Sequence, residues 1–226
     1  MDLIIGIDDA GRGPVIGPMV LAGCLINSEI ESELKNLGVR DSKQLTQKRR
    51  EFLEKIIKEK AIAFYVETLS PREIDNKQGY GNLNDLEAIM ASKIINKLNR
   101  SDQKIKVILD CPSPNRIKWR DTVKFQIKNL SNLDIICEHK ADINHIAVSA
   151  ASILAKCQRE REMDKLREIY GEEIGSGYAS DPITKKFLER NIKNKDHKEI
   201  FRKSWKTWKK ANHDAWQKKL FLTYFI

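Results

Sequence analysis

Four aspartates stand where carboxylates do chemistry in α/β proteins. Asp8 and Asp9 close the first apolar run of the chain, Asp110 closes a later one, and Asp142 lies just ahead of a long helical stretch. Strand ends of one sheet can converge on one edge. Carboxylates gathered there repel one another unless they hold hard divalent cations, and Mg²⁺ bound by carboxylates and substrate phosphate oxygens is an arrangement suited to phosphodiester hydrolysis. Each acid also has a structural explanation: Asp9 and Asp110 sit beside Gly and Pro as turn formers do, and Asp142 could cap the helix expected from Asn144. Successive strand residues face opposite sides, so Asp8 and Asp9 can share a cation only if the strand ends there, and Gly11-Arg12-Gly13-Pro14 offers such an ending.

The elements that would position these residues follow from hydrophobic periodicity. Residues 3 to 8 read as a strand, a glycine-rich turn follows, and the run from 15 to 26 reads as a second strand. Helical spacing is expected from about 45 to 60, strand alternation from 61 to 69, and a helical stripe through Leu86, Ile89, Met90, Ile94 and Leu98. Strands are expected at 106–110 and 133–137, a long helix at 144–170, and helices near 182–194 and 196–212. Strands interleaved with helices, then helices alone, predict an α/β core sheet with a helical C-terminal extension. The expected division is a catalytic core at 1–184, a basic helical region at 185–219 and an apolar tail at 220–226.

With 226 residues, 41% hydrophobic and 32% charged, the chain has the balance of a soluble globular protein. No run approaches the roughly 18 apolar residues that span a bilayer, so no membrane partner is expected. The start carries no basic n-region and meets Asp2 and Asp8 early, which predicts an intracellular, cytoplasmic protein. Cys24, Cys111, Cys137 and Cys157 show no metal-like spacing and read as buried thiols, and the four histidines are too scattered for a metal cluster. The formal charge is +9, and thirteen Lys or Arg against four Asp or Glu between 185 and 219 account for all of it. A basic arm beside a neutral body predicts a polyanion partner, and a solvated lysine-rich helical surface is the plainer alternative.

Longer blocks narrow the reading. Gly6-Ile7-Asp8-Asp9-Ala10-Gly11-Arg12-Gly13-Pro14-Val15-Ile16-Gly17-Pro18-Met19-Val20, Asp41-Ser42-Lys43-Gln44-Leu45, Lys140-Ala141-Asp142 running into Val148-Ser149-Ala150-Ala151-Ser152-Ile153-Leu154-Ala155-Lys156, and Gly175-Ser176-Gly177-Tyr178-Ala179-Ser180-Asp181-Pro182 occur in this order. Together they resemble ribonuclease HII of the archaeal type, from residue 3 to about 208. The resemblance implies an RNase H-like mixed sheet flanked by helices. It implies an enzyme that hydrolyses the RNA strand of RNA/DNA hybrids and cuts 5′ of ribonucleotides embedded in duplex DNA, leaving 5′-phosphate and 3′-hydroxyl ends.

The resemblance maps the catalytic and metal-binding carboxylates onto Asp8, Asp9, Asp110 and Asp142, with two Mg²⁺ or Mn²⁺ ions. It implies that the Gly11, Arg12 and Gly13 amides meet the 2′-hydroxyl and phosphate, and that Tyr178 stacks on the sugar at the RNA-to-DNA junction. Lys43, Ser149 and Lys156 are candidates for phosphate contact, with a surface pair to Glu160 as the alternative for Lys156. The family pattern departs at one point: it carries Asp then Glu where this chain has Asp8-Asp9. The shorter side chain predicts an activity more dependent on metal concentration or on Mn²⁺. It also motivates a different reading, a hybrid-binding protein with an impaired active site, and a third is another nuclease of the superfamily with different substrate geometry.

The C-terminal run Lys218-Lys219-Leu220-Phe221-Leu222-Thr223-Tyr224-Phe225-Ile226 resembles the sliding-clamp-binding motif. Aligning on Tyr224-Phe225 puts Lys218 and Phe221 where Gln and the aliphatic residue belong. A tail packed on its own core is the alternative. The catalytic unit is expected to be a monomer.

Overall fold

The computed structural model describes residues 2–40, 45–76, 81–100 and 102–224, with side chains as far as 217. Five strands form one sheet: β1 (Leu3–Ala10), β2 (Met19–Asn27), β3 (Ala63–Leu69), β4 (Ile105–Asp110) and β5 (Leu133–Glu138), in the order β3-β2-β1-β4-β5. β1 pairs antiparallel with β2, whereas β1–β4 and β4–β5 are parallel, so the sheet is mixed. Every residue of β2 is buried, as expected of a strand covered on both faces.

The helices are α1 (Ser28–Asn36), α2 (Gln47–Lys60), α3 (Pro71–Asp75), α4 (Leu83–Leu98), α5 (Arg116–Phe125), α6 (Ala141–Asn144), α7 (Ile146–Tyr170), α8 (Pro182–Asn191) and α9 (Lys206–Tyr224). Their starts are chemically marked. The Asn27 side chain accepts from the Ile30 amide at 2.9 Å, and Ser70 with Glu73 and Asn82 with Asp85 form reciprocal capping boxes.

The chain divides into two compact units. The first is Met1–Ala10, Val20–Thr68 and Gln78–Gln158, and the second is Gly11–Met19, Leu69–Lys77 and Arg159–Ile226. The first unit's core joins Val20, Ala22, Cys24 and Ile26 of β2 to Leu34, Leu53 and Ile57 and to the small-residue start of α7: Ala147, Ala150, Ala151 and Ala155. In the second unit Val15, Ile16, Met163, Ile174, Phe187, Leu188, Ile200 and Phe201 pack together.

Two expectations need correction. β1 does not end at Asp8; it runs to Ala10 because Asp8, Asp9 and Ala10 stay in register with Ala22, Leu21 and Val20 of β2. The segment before Lys206 is not helical. Its backbone is instead bonded across to the glycine-rich segment: Ile16 bridges to Phe201, and the Arg202 amide donates to the Val15 carbonyl at 2.9 Å. At the C-terminus, the backbone from Leu220 to Tyr224 continues α9. α1, α3 and α5 were not anticipated; α1 buries only Leu34, too little apolar periodicity to be recognised.

Candidate active site and nucleic-acid loop

The first unit holds the four aspartates. Gly6 and Gly23 let helices approach the sheet closely: a Cβ on Gly6 would lie 2.1 Å from the backbone carbonyl carbon of Ala147. With α7 this near β1, the Ser152 hydroxyl reaches Asp8 and donates to it. Asp8 is 6% exposed. Burial pushes its carboxyl well above the usual carboxylate range, and the charges of Asp9 and Asp110 push it further; the Ser152 hydroxyl and the Asp9 amide, 2.8 Å from Oδ1, oppose the shift.

β1 stays paired with β2 through Asp8 and Asp9, contrary to the ending that the glycine-rich turn predicted, and the Asp9 charge nonetheless bears directly on Asp8. What the strand offers instead is an open edge. Pairing with β4 stops at Ile7–Leu109, so beyond that point β1 is covered by β2 alone.

Asp110 is the last residue of β4 and accepts the Ala141 amide at 2.9 Å. That bond ties it to α6, whose second residue is Asp142, 1% exposed. Asp142 therefore belongs to a short helix of its own rather than capping the long one. Lys140, which precedes α6, adopts φ 59°, a left-handed conformation that costs a non-glycine residue about 1 kcal/mol or more and sets the angle at which Asp142 enters.

Ser149 was expected on a phosphate. It is 1% exposed, and its hydroxyl donates to the carbonyls of Asp142 and His145, so it braces α6 from within. Lys156 is half-buried on α7, and Glu160, its alternative partner, meets Arg167 through two nitrogens at 3.0 Å. Lys43 lies outside the described residues. Ser152, the hydroxyl donor to Asp8, was missed; its only signal was its place one turn after Ser149.

Among the described residues, no three His, Cys, Asp or Glu side chains stand close enough to cage a metal unaided. The donor set nevertheless fits a hard divalent cation: it is all carboxylate oxygen, partly desolvated, and mutually repulsive around Asp8. Such ions use one or two carboxylates and complete their shell with water and substrate phosphate. The histidines make ordinary contacts. His145 pairs with Glu138 at 2.9 Å, His139 meets the Cys111 carbonyl, and His197 packs against Tyr170 and Phe187. All four cysteines are buried thiols as expected, and burial pushes Cys24 and Cys137 up to about 12.

The second unit holds the glycine-rich loop and Tyr178. Gly11 adopts φ 79°, and a Cβ there would collide with Arg159 at 2.4 Å. Gly13 is exposed, 3.7 Å from a ring carbon of Tyr178 when given a Cβ, so a larger side chain would grow against that ring. Tyr178 is 40% exposed, with the Arg159 guanidinium 5.2 Å from its ring centroid. The turn that presents it is held by Asp181, which accepts from the Ser176 amide at 2.7 Å, the Ser176 hydroxyl and the Ile183 amide. Those bonds, led by the Ser176 amide, hold the Asp181 carboxyl down at about 2. The Gly177 carbonyl accepts from the amides of Val15 and Ile16, which fastens the Tyr178 turn to the glycine-rich loop.

A mixed five-stranded sheet flanked by helices, with aspartates at the ends of β1 and β4, defines the RNase H-like fold; the ribonuclease H2 of Pyrococcus horikoshii superposes with a TM-score of 0.83 at 37% identity, over 94% of this chain and 98% of that one. An RNase HII of Archaeoglobus fulgidus, solved as a complex with PCNA, superposes with a TM-score of 0.79 at 35% identity, covering 90% and 95%. The sequence model described as Ribonuclease HII matches residues 5–208, and the ribonuclease HII of Methanocaldococcus jannaschii is 44% identical over 97% of this chain and 99% of its own. The chain belongs to the ribonuclease HII family. It is a type 2 ribonuclease H, a hydrolase of RNA paired with DNA. Among the described residues no helix is long and apolar enough to cross a membrane.

Proposed function

We propose that this chain, acting in the cytoplasm as a monomer, cuts the RNA strand of hybrids and the 5′ side of ribonucleotides embedded in duplex DNA, with two divalent cations held by Asp8, Asp9, Asp110 and Asp142. The observation that carries this reading is Asp8, a buried carboxyl on which the charges of two more carboxylates, Asp9 and Asp110, bear. An arrangement so costly to the folded chain is explained by cations that neutralise it. When bound, Mg²⁺ or Mn²⁺ would activate water for in-line attack and offset charge on the phosphate. The chain's own residues do the rest: the Ser152 hydroxyl and the Asp9 amide orient Asp8, and the Ala141 amide orients Asp110.

The Gly11, Arg12 and Gly13 amides would meet the 2′-hydroxyl and phosphate, where glycine permits close approach, and Tyr178 would stack on the sugar. Lys43 and Lys156 would contact phosphates. A groove between α8 and α9 is lined by Lys185, Lys206 and Lys210 together with Glu189 and Asp214, and its excess of lysines supports a duplex-binding role for the basic region. The PCNA complex of the A. fulgidus relative supports a sliding clamp as partner, met through Phe221, Tyr224 and Phe225.

Asp9 sets the test. Replacing it with Glu restores the family's longer reach, and Asp9→Glu should move the Mg²⁺ activation curve of hybrid cleavage to about fivefold lower concentration, the equivalent of roughly 1 kcal/mol at one ligand. Superimposable Mg²⁺ and Mn²⁺ curves for the two proteins would contradict a metal-binding role for residue 9. Cleavage that appears only in Asp9→Glu would instead establish the hybrid-binding reading.

A further inference from the structure

Arg202 is the largest fully buried side chain described, at 0% exposure, although it belongs to the basic C-terminal region. Its guanidinium donates from Nε to the Gly17 carbonyl at 2.9 Å, from Nη1 to the Arg12 carbonyl at 2.9 Å and from Nη2 to the Gly11 carbonyl at 2.6 Å. The Trp205 ring stacks on it, 5.0 Å from guanidinium carbon to centroid, and the indole N–H donates to the Gly13 carbonyl at 3.1 Å. The Arg202 amide donates to Val15, and Ile16 bridges to Phe201, so the two segments are also joined backbone to backbone.

Peptide planarity turns these contacts into a statement about the loop's other side. Among the described residues there are no cis peptide bonds, and in a trans peptide the C=O and N–H lie on opposite edges of one plane. Drawing the Gly11 and Arg12 carbonyls onto Arg202 therefore turns the Arg12 and Gly13 N–H groups the opposite way, side by side. The peptide after Gly13 leads into Pro14 and has no N–H, and its carbonyl is the one Trp205 takes. A cation on the carbonyl edge also polarises each peptide and strengthens its N–H as a donor. Consecutive N–H groups facing one way form a concavity for an anion or a hydroxyl oxygen. Lysine could not substitute, because it offers a point charge in place of a planar fork with fixed donor directions.

We infer that Arg202, with Trp205 stacked on it, is a positioning residue for ribonucleotide recognition: it fixes the direction of the Arg12 and Gly13 amides. The inference rests on the reading of this loop as the 2′-hydroxyl and phosphate contact. It gives the C-terminal region a second role besides general attraction to phosphates. Trp205 serves as a brace on the guanidinium and as a donor to the last carbonyl of the loop.

The test compares binding to two DNA duplexes that differ by one sugar, a single ribonucleotide or its deoxy counterpart, with Ca²⁺ replacing Mg²⁺ to hold back cleavage. Arg202→Lys should reduce the ribo-over-deoxy preference about tenfold, and Trp205→Phe, which loses one donor while keeping the ring, about threefold. Affinity for the all-DNA duplex should stay within about twofold, since phosphate attraction elsewhere is unchanged. Equal loss on both duplexes, or full preference retained by both variants, overturns the inference. If Arg202→Lys does not fold, Trp205→Phe decides: a thermal midpoint close to the unaltered chain's with reduced preference supports it, and unchanged preference overturns it. No preference in the unaltered protein would overturn the loop's contact with the 2′-hydroxyl itself, a failure distinct from that of Arg202.

Discussion

Asp8→Asn is expected to lower hybrid cleavage by about three orders of magnitude or more while raising the thermal midpoint of the metal-free protein. The loss of activity follows because an amide oxygen is a weak, neutral ligand where a divalent cation needs a carboxylate. The gain in stability follows from the same burial. A carboxyl whose folded pKa is raised above its unfolded value binds its proton more tightly in the folded state, so stability falls as pH rises through the unfolded value, near 3.9, toward the folded one. At neutral pH the folded chain therefore carries the cost of desolvating Asp8 next to Asp9 and Asp110. Asparagine has the same shape, keeps an oxygen for Ser152 and the Asp9 amide, and removes that cost. Hybrid affinity should persist, because phosphate contacts lie on other residues. Cleavage within tenfold of the unaltered protein, or a lower midpoint in EDTA, would contradict this account of the residue.

The second large effect lies beneath the site. In Gly6→Ala, the new Cβ would stand 2.1 Å from the Ala147 carbonyl carbon, 2.3 Å from its oxygen and 2.3 Å from the Val148 nitrogen. These are backbone atoms in the first turn of α7 and cannot rotate away. Either the helix lifts off β1 or the strand bends, and a loss of about 3 kcal/mol or more is expected. Gly23→Ala is the informative comparison. Its Cβ would meet Ile94 Cγ2 at 2.3 Å and Leu98 Cδ1 at 2.8 Å, side-chain methyls that can shift, so about 1–2 kcal/mol is expected. Urea unfolding midpoints at constant m would separate the two. Equal losses would mean that α7 is not held against β1 by close backbone packing. Because α7 carries Ser152 to Asp8, Gly6→Ala should also reduce cleavage in the molecules that remain folded.

Much of this site could be read from residue order. Apolar runs that end in Asp8-Asp9 and Asp110 mark strands feeding one edge, and the long helix after Asp142 has an unmistakable period. What could not be read was tertiary. The strand order that makes β1 and β4 parallel neighbours depends on crossovers, not on the runs themselves. The continuation of β1 through Asp9 to Ala10 depends on its partner β2, whose register overrides a Gly-Arg-Gly-Pro turn signal. Ser149 carries no local sign that its hydroxyl is spent on the Asp142 carbonyl. Arg202 was the deepest miss. In a lysine-rich stretch an arginine counts as surface charge, and only contacts about 190 residues away along the chain show that it organises the glycine-rich loop from inside.

The central claim is that a carboxylate site in this chain cuts at a ribonucleotide. The most direct measurement is the reaction of the unaltered protein, in Mg²⁺ and then in Mn²⁺, with a DNA duplex holding one ribonucleotide, resolving the cut position and both new ends. The account predicts a single cut on the 5′ side of the ribonucleotide, with 3′-hydroxyl and 5′-phosphate ends, no reaction in EDTA and none on the all-DNA duplex. An intact strand in both metals, a cut elsewhere, or equal cutting of the all-DNA duplex would contradict it.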